Sequence, residues 1–340
     1  MERIGRRPCL LASVLGATAY NIGGAFCKTY GQQMATRCLT AIFISPPCAL
    51  GSIVVTELFF RHERGTKTGI WKLFFTLGAP AGPFIMGFVA KFAGLQWMYG
   101  VFALVTFSIF LAYLFFGPET MYRRNHIARN DDNHFTWLSS LKFHSIQRKR
   151  LSLSDAVGPF TIFATVRIIV PVCAYAIVFA YASIAVIITM PQVFGEKFHL
   201  DAEGIGLQFI AMLIGLMLGE IVGGFGSDLW MKWRTSKRGG SRVIEDRLWL
   251  AYPGIILVIV GLVLWGVRSQ QAAPGHWIVS PDVGAAISSF GCQVLTTVLV
   301  TYAIDVDPKR AADTGLIVNF VRQTWGFVSH STSLSLSLSC

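Results

Sequence analysis

The sequence predicts an all-α membrane protein, a polytopic helical bundle with about nine transmembrane helices. Of its 340 residues, 53% are hydrophobic and only 14% charged. The mean hydropathy of +0.55 is far above what a soluble domain needs. The apolar runs are continuous and rich in Leu, Ala and Gly, where a membrane β-barrel would alternate apolar and polar residues over about ten positions.

A helix needs about 20 mostly apolar residues to cross a bilayer, and nine segments qualify: 8–27, 34–56, 70–93, 97–116, 166–190, 205–226, 248–267, 280–304 and 312–328. The first follows Arg3, Arg6 and Arg7 and contains Ala17-Thr18-Ala19, the outline of a secretory signal. Its apolar run continues past Gly24 and eight more follow, so it reads as a span. The second carries Arg37 near one end and Pro46-Pro47 near its middle; the third is punctuated by Gly78, Pro80, Gly82, Pro83 and Gly87; the fourth closes on Phe116-Gly117-Pro118. Residues 117–165 are polar and basic. Within them Phe135, Leu138, Leu141 and Phe143 either form a short helix on an anionic membrane surface or belong to a solvated linker. The chain therefore divides into a partial N-terminal bundle of four spans (1–116), a linker (117–165), a C-terminal bundle of five spans (166–328) and a Ser/Leu tail (329–340).

The 29 Lys and Arg outnumber the 18 Asp and Glu, for a net charge of +11. The excess is not spread evenly. Connectors 2–7, 58–69, 117–167, 227–247 and 305–311 hold 22 basic residues, whereas the alternate connectors hold four: Lys28, Lys91, Lys197 and Arg268. The positive-inside tendency places the first set, the N-terminus and the linker in the cytoplasm, so the charge is a topology signal and no nucleic-acid partner is called for. The seven cysteines lack metal-ligand spacing, and no metal or cofactor is expected. Nucleophile elbows, metalloprotease helices and phosphate-cradling glycine loops are missing, which argues against an enzyme. A channel would carry pore loops or rings of like charge, and none is present.

Several motifs carry a family resemblance. Arg3-Ile4-Gly5-Arg6-Arg7-Pro8 resembles the loop between the second and third helices of the major facilitator superfamily. Gly78-x-x-x-Gly82-Pro83-x-x-x-Gly87 is similar to the fifth-helix motif of its antiporter branch. Phe116-Gly117-Pro118-Glu119-Thr120 resembles the close of the sixth helix in fungal drug:proton antiporters. In the second block Gly219-Glu220, Ser227-Asp228, Arg247-Leu248-Trp249-Leu250, Thr301-Tyr302-Ala303-Ile304-Asp305 and Arg322-Gln323-Thr324-Trp325-Gly326-Phe327 agree with the same branch. The resemblance implies a twelve-helix fold and secondary active transport by alternating access, coupled to protons, of a small organic, cationic compound across the plasma membrane. Lipid is the other partner implied; oligomeric state is left open. Family helices one, two and twelve have no counterpart, and the alternating Ser and Leu after Thr332 do not resemble a twelfth helix. The corresponding expectation is a chain that inserts but transports poorly, and the alternative reading is a non-transporting or regulatory fragment.

The resemblance assigns gating roles to Gly5, Arg6, Arg7, Glu57, Arg64, Gly78, Gly82, Pro83, Gly87, Asp228, Asp305 and Arg310. The two blocks echo each other. Glu57 is followed by Arg64 and Thr68-Gly69, and Asp305 by Lys309-Arg310 and Thr314-Gly315, as expected of transporters built from repeats. A carboxylate at a helix end facing basic loop residues either closes that side by an ion pair or only sets topology. Arg37 faces a wet cavity or a carboxylate, or else snorkels to the outer surface. Glu220 lies well inside a span, where it exchanges a proton, attracts a cation, or bonds a neighbouring helix. Tyr175, Tyr181, Gln293, Thr297 and Tyr302 lie on the spans that line the family's cavity; interfacial placement is the alternative for the tyrosines.

The topology has a direct check in a cysteine-free background. A thiol at Gln271 is expected to react with an impermeant label added outside, and one at Asn130 to be protected; the reverse pattern contradicts the charge argument.

Overall fold

A computed structural model of the chain describes residues 6–58, 64–117, 158–239, 243–273, 275–307 and 310–339. Among these, nine helices lie where the nine apolar runs predict them. They are α1 (Arg6–Ala25), α2 (Tyr30–Leu58), α3 (Arg64–Ala93), α4 (Leu95–Phe116), α5 (Val166–Phe198), α6 (Ala202–Lys237), α7 (Ala251–Gln271, entered through a 3-10 turn, Ile244–Leu250), α8 (Ser280–Val306) and α9 (Ala311–Ser339). Six, α3 to α8, are long and apolar enough by length and composition to cross a membrane. α1, α2 and α9 are diluted by polar residues such as Arg6, Arg7, Gln32, Gln33, Arg37, Asp313 and Arg322. α9 continues through most of the Ser/Leu tail, which contains no glycine or proline to stop it. The linker segment from Phe135 to Phe143, read as either a surface helix or a solvated linker, falls outside the described residues.

The helices group into two compact units, one formed by the described residues within 1–54 and 93–155 and the other by those within 55–92 and 156–340. α3 thus packs with the second-block helices, although sequence order places it in the first block. In the first unit α1 lies along α4. Thr18 and Thr106 join hydroxyl to hydroxyl at 3.1 Å, Gly24 makes room for the Tyr99 ring, and Arg7 donates to the Leu114 carbonyl at 2.8 Å.

In the second unit α8 is the central element, buried along most of its length between α6, α7 and α5. Glycine makes that possible. With lipid on the outside, helix association depends on close packing more than on the hydrophobic effect, and small residues let backbones approach. On α6, Gly215, Gly219 and Gly223 recur every fourth residue and face α8. A β-carbon at Gly219 would lie 2.6 Å from the Phe290 carbonyl oxygen, and one at Gly215 2.3 Å from that of Ala286. On α7, Gly261 presses on Ser288, 2.3 Å from its backbone nitrogen by the same construction. The π-helical turns Ala180–Ala185 and Val222–Gly226 interrupt α5 and α6, and such turns recur near functional sites. In α3 the close approach falls at Gly87, against the backbone of Ala202 and Gly206. Gly78 and Gly82 meet no described atom within 4 Å, so close approach is made at one end of the motif.

Overpacking at α7–α8 is expected to cost about 1–3 kcal/mol. Thermal unfolding in detergent should show Gly261→Val clearly destabilised and Gly266→Val, which meets no described atom within 4 Å, near the unaltered chain. Equal losses for both would contradict this packing.

Candidate functional site: a carboxylate-lined cavity between α3, α6 and α8

The close packing of α6 on α8 decides where Glu220 goes. Flanked by Gly219 and Gly223, it is drawn against α8 and 9% exposed. An isolated buried carboxylate is costly unless hydrogen-bonded, and α8 supplies the donors. Gln293 Nε2 donates to Glu220 Oε2 at 2.7 Å and Thr297 Oγ1 to the same oxygen at 2.6 Å. The second oxygen, Oε1, turns toward α3. It has space because residue 69 is glycine: a β-carbon there would lie 2.7 Å from Oε1.

Gln293, Thr297 and Thr301 are spaced by four residues and share one face of α8. The lowest rung, Thr301, accepts a hydrogen bond at 3.3 Å from Lys72 Nζ of α3, a lysine 6% exposed. Lys72 interacts electrostatically with both Glu220 and Asp305. A polar ladder on α8 thus connects an acidic group from α6 to a basic group from α3. Beside Glu220 is a cavity of about 250 Å³. Ile70 and Leu73 of α3 and Ile221 and Phe225 of α6 form its apolar walls, Glu220, Thr297 and Thr301 its polar side, and Asp228 and Arg247 its end.

Arg247, 4% exposed, ties that end together. Its Nη2 lies 3.0 Å from Asp228 Oδ1, and its Nη1 lies 3.5 Å from Asp305 Oδ2, so one guanidinium joins the far ends of α6 and α8. The neighbouring Asp246 binds Arg238 at 3.0 Å. Of the basic loop residues expected near Asp305, Lys309 lies outside the described residues, and Arg310 reaches the Gly158 carbonyl at 3.0 Å, the Thr161 hydroxyl and Asp313 at 3.7 Å. The described basic partner of Asp305 comes from the 3-10 turn that enters α7.

The other sequence-selected residues are dispersed. Arg6 and Arg7 are buried at the start of α1. Gly5 and the side chains of Glu57 and Arg64 lie outside the described residues. Arg37 is exposed, donates to the Tyr99 hydroxyl at 2.9 Å and sits 5.7 Å from the centre of its ring; among the described residues no carboxylate meets it. Tyr175 and Tyr302 are buried, whereas Tyr181 is 46% exposed. Lys72, Thr301 and Arg247 were not singled out as site residues. A lysine inside an apolar run was a signal available for the first.

The sequence profile described as Major Facilitator Superfamily matches residues 1–330. An uncharacterised transporter of Schizosaccharomyces pombe is 25% identical over 335 residues, 96% of this chain and 67% of that protein. The efflux pump FUBT of Fusarium oxysporum is 26% identical over 313 residues, 89% and 52% respectively. The efflux pump vrtL of Penicillium aethiopicum is 25% identical over 333 residues, 96% and 65%. The chain thus spans between half and two thirds of the length of these relatives. Among solved structures, a bacterial homologue of the human lysosomal transporter Spinster, inward-facing and unoccupied, aligns with a TM-score of 0.58 at 14% identity. The alignment covers 95% of this chain and 66% of that one, a likeness of fold.

Proposed function

The chain belongs to the Major Facilitator Superfamily, a multi-pass membrane transporter family, and on that premise we propose that it is a proton-coupled antiporter that expels a small organic, cationic compound by alternating access. Efflux pumps among the relatives support the direction of transport. The observation that carries the coupling is Glu220: one oxygen fixed by Gln293 and Thr297, the other directed into an apolar-walled cavity.

Exchange follows from competition for that open oxygen. A cation entering between Ile70, Leu73, Ile221 and Phe225 gains apolar contact and pairs with the carboxylate. A proton on the same group removes the charge that held the cation. Proton and cargo thus exclude each other, which is what makes their movements opposite. Lys72 acts as the internal counter-ion when neither is bound, close enough to interact with Glu220 yet moored on Thr301. The change of access requires a two-state element that these ligands bias. We assign that part to the Arg247 bridge between Asp228 and Asp305, with Gly5, Arg6, Arg7, Glu57, Arg64 and Arg310 in the first-block and loop counterparts of the gate. Gly78, Gly82, Pro83 and Gly87 shape α3, which forms one cavity wall. The plasma membrane is the location this activity fits.

Proton release tests the competition. Tetraethylammonium added to the purified chain in weakly buffered solution, below the pH at which Glu220 is fully ionised, should acidify it as the cation displaces a proton. Glu220→Gln should abolish that release. Undiminished release from the variant would remove Glu220 from the coupling role.

A further inference from the structure

Arg322 presents a different problem from Glu220. It lies near the middle of α9, 4% exposed, and its neighbours Phe75, Phe179 and Cys292 each lie near the middle of α3, α5 and α8. A guanidinium at such depth is expected to face a counter-ion or a ligand pathway. Yet among the described residues no carboxylate is within ion-pair distance of it. The buried acids nearby are otherwise engaged or elsewhere: Glu220 with Gln293 and Thr297, Asp246 with Arg238, and Asp282 near the start of α8.

What does surround Arg322 is aromatic. Its guanidinium carbon lies 4.3 Å from the centre of the Phe75 ring and 4.9 Å from that of Phe179, and the Tyr175 hydroxyl is beside it. Ring faces partly compensate a desolvated cation, and a hydrogen bond between the Tyr175 hydroxyl and the guanidinium helps hold the planar group in place. The Nε–H has no acceptor. The charge is therefore positioned, and among the described residues no carboxylate neutralises it; the chemistry it offers a ligand is the edge that carries the two terminal nitrogens. An edge of this kind matches the two oxygens of a carboxylate.

We propose that Arg322, clamped by Phe75 and Phe179, is the binding point for the carboxylate of a small organic ligand. This goes beyond the exchange at Glu220 and does not depend on it. The carboxylate is either the acidic group of an amphoteric cargo, whose cation goes to Glu220, or a separate organic anion.

Four indole probes separate these cases by calorimetric titration of the purified chain: indole-3-acetate, the neutral indole-3-acetamide, tryptamine and tryptophan. At least one carboxylate-bearing probe should bind more tightly than the acetamide by about tenfold or more, the scale of one or two charge-assisted hydrogen bonds. Arg322→Gln should erase that advantage and leave tryptamine unchanged. Arg322→Lys, which keeps the charge but loses the fork, should fall between. Tight binding of tryptophan alone supports the amphoteric cargo, and equally tight binding of indole-3-acetate supports a separate anion. If Arg322→Gln fails to fold, the comparisons of acetate with acetamide and of tryptophan with tryptamine, on the unaltered chain and on Arg322→Lys, decide. Carboxylates that bind no better than the acetamide, or an advantage that survives in Arg322→Gln, would overturn the assignment.

Discussion

The hydrogen bonds from Gln293 and Thr297 to Glu220 are the interaction on which the rest of the second unit depends. They require α6 and α8 to approach more closely than ordinary side chains permit, and the glycines at 215, 219 and 223 meet that requirement. The same approach buries α8 along most of its length, and its polar side chains find internal partners. Thr297 finds Glu220, and Thr301 finds Lys72. Packing and polar chemistry are therefore one constraint: widening the α6–α8 gap would leave a carboxylate without donors in an apolar surrounding, a cost of several kcal/mol in hydrocarbon.

Charge in this unit is organised by depth. At the end of the cavity Arg247 bridges two carboxylates, an arrangement suited to a contact that holds helix ends together. Farther from that end, among the described residues, the charges make no direct ion pair. Glu220 bonds to neutral donors, Lys72 to a hydroxyl, and Arg322 lies between aromatic rings. Closed pairs at one end and charges without a direct ion pair farther from it are what a carrier needs if its ligands bring the missing charges.

Much of this was legible in the sequence, and the reason is the bilayer. Because a lipid-exposed backbone must satisfy its own hydrogen bonds, long apolar runs leave helices as the solution, and all nine helices coincide with predicted runs. The family resemblance carried by Gly219-Glu220, Ser227-Asp228 and Arg247 is matched by the superfamily profile over residues 1–330. Glu220 stood out as an acid within a span. Its partners were harder to read, because Gln293 and Thr297 become donors only through the register of α6 on α8, a tertiary quantity. The pairing of Asp305 with Arg247, rather than with nearby Arg310, was hidden for the same reason: proximity in sequence suggested the adjacent loop, whereas the fold returns the start of α7 to that helix end. Lys72 and Arg322 were visible as basic residues in apolar runs, but a composition cannot show that one meets a threonine and the other two phenylalanines.

Infrared difference spectroscopy tests the central claim, that a proton and a cation compete for Glu220, most directly. With the purified chain held at a pH where Glu220 is partly protonated, addition of tetraethylammonium should remove a protonated-carboxyl C=O stretching band and add carboxylate bands, and both changes should be absent in Glu220→Gln. A spectrum in which the carboxyl band persists on cation binding, or in which the variant shows the same change, would contradict the account.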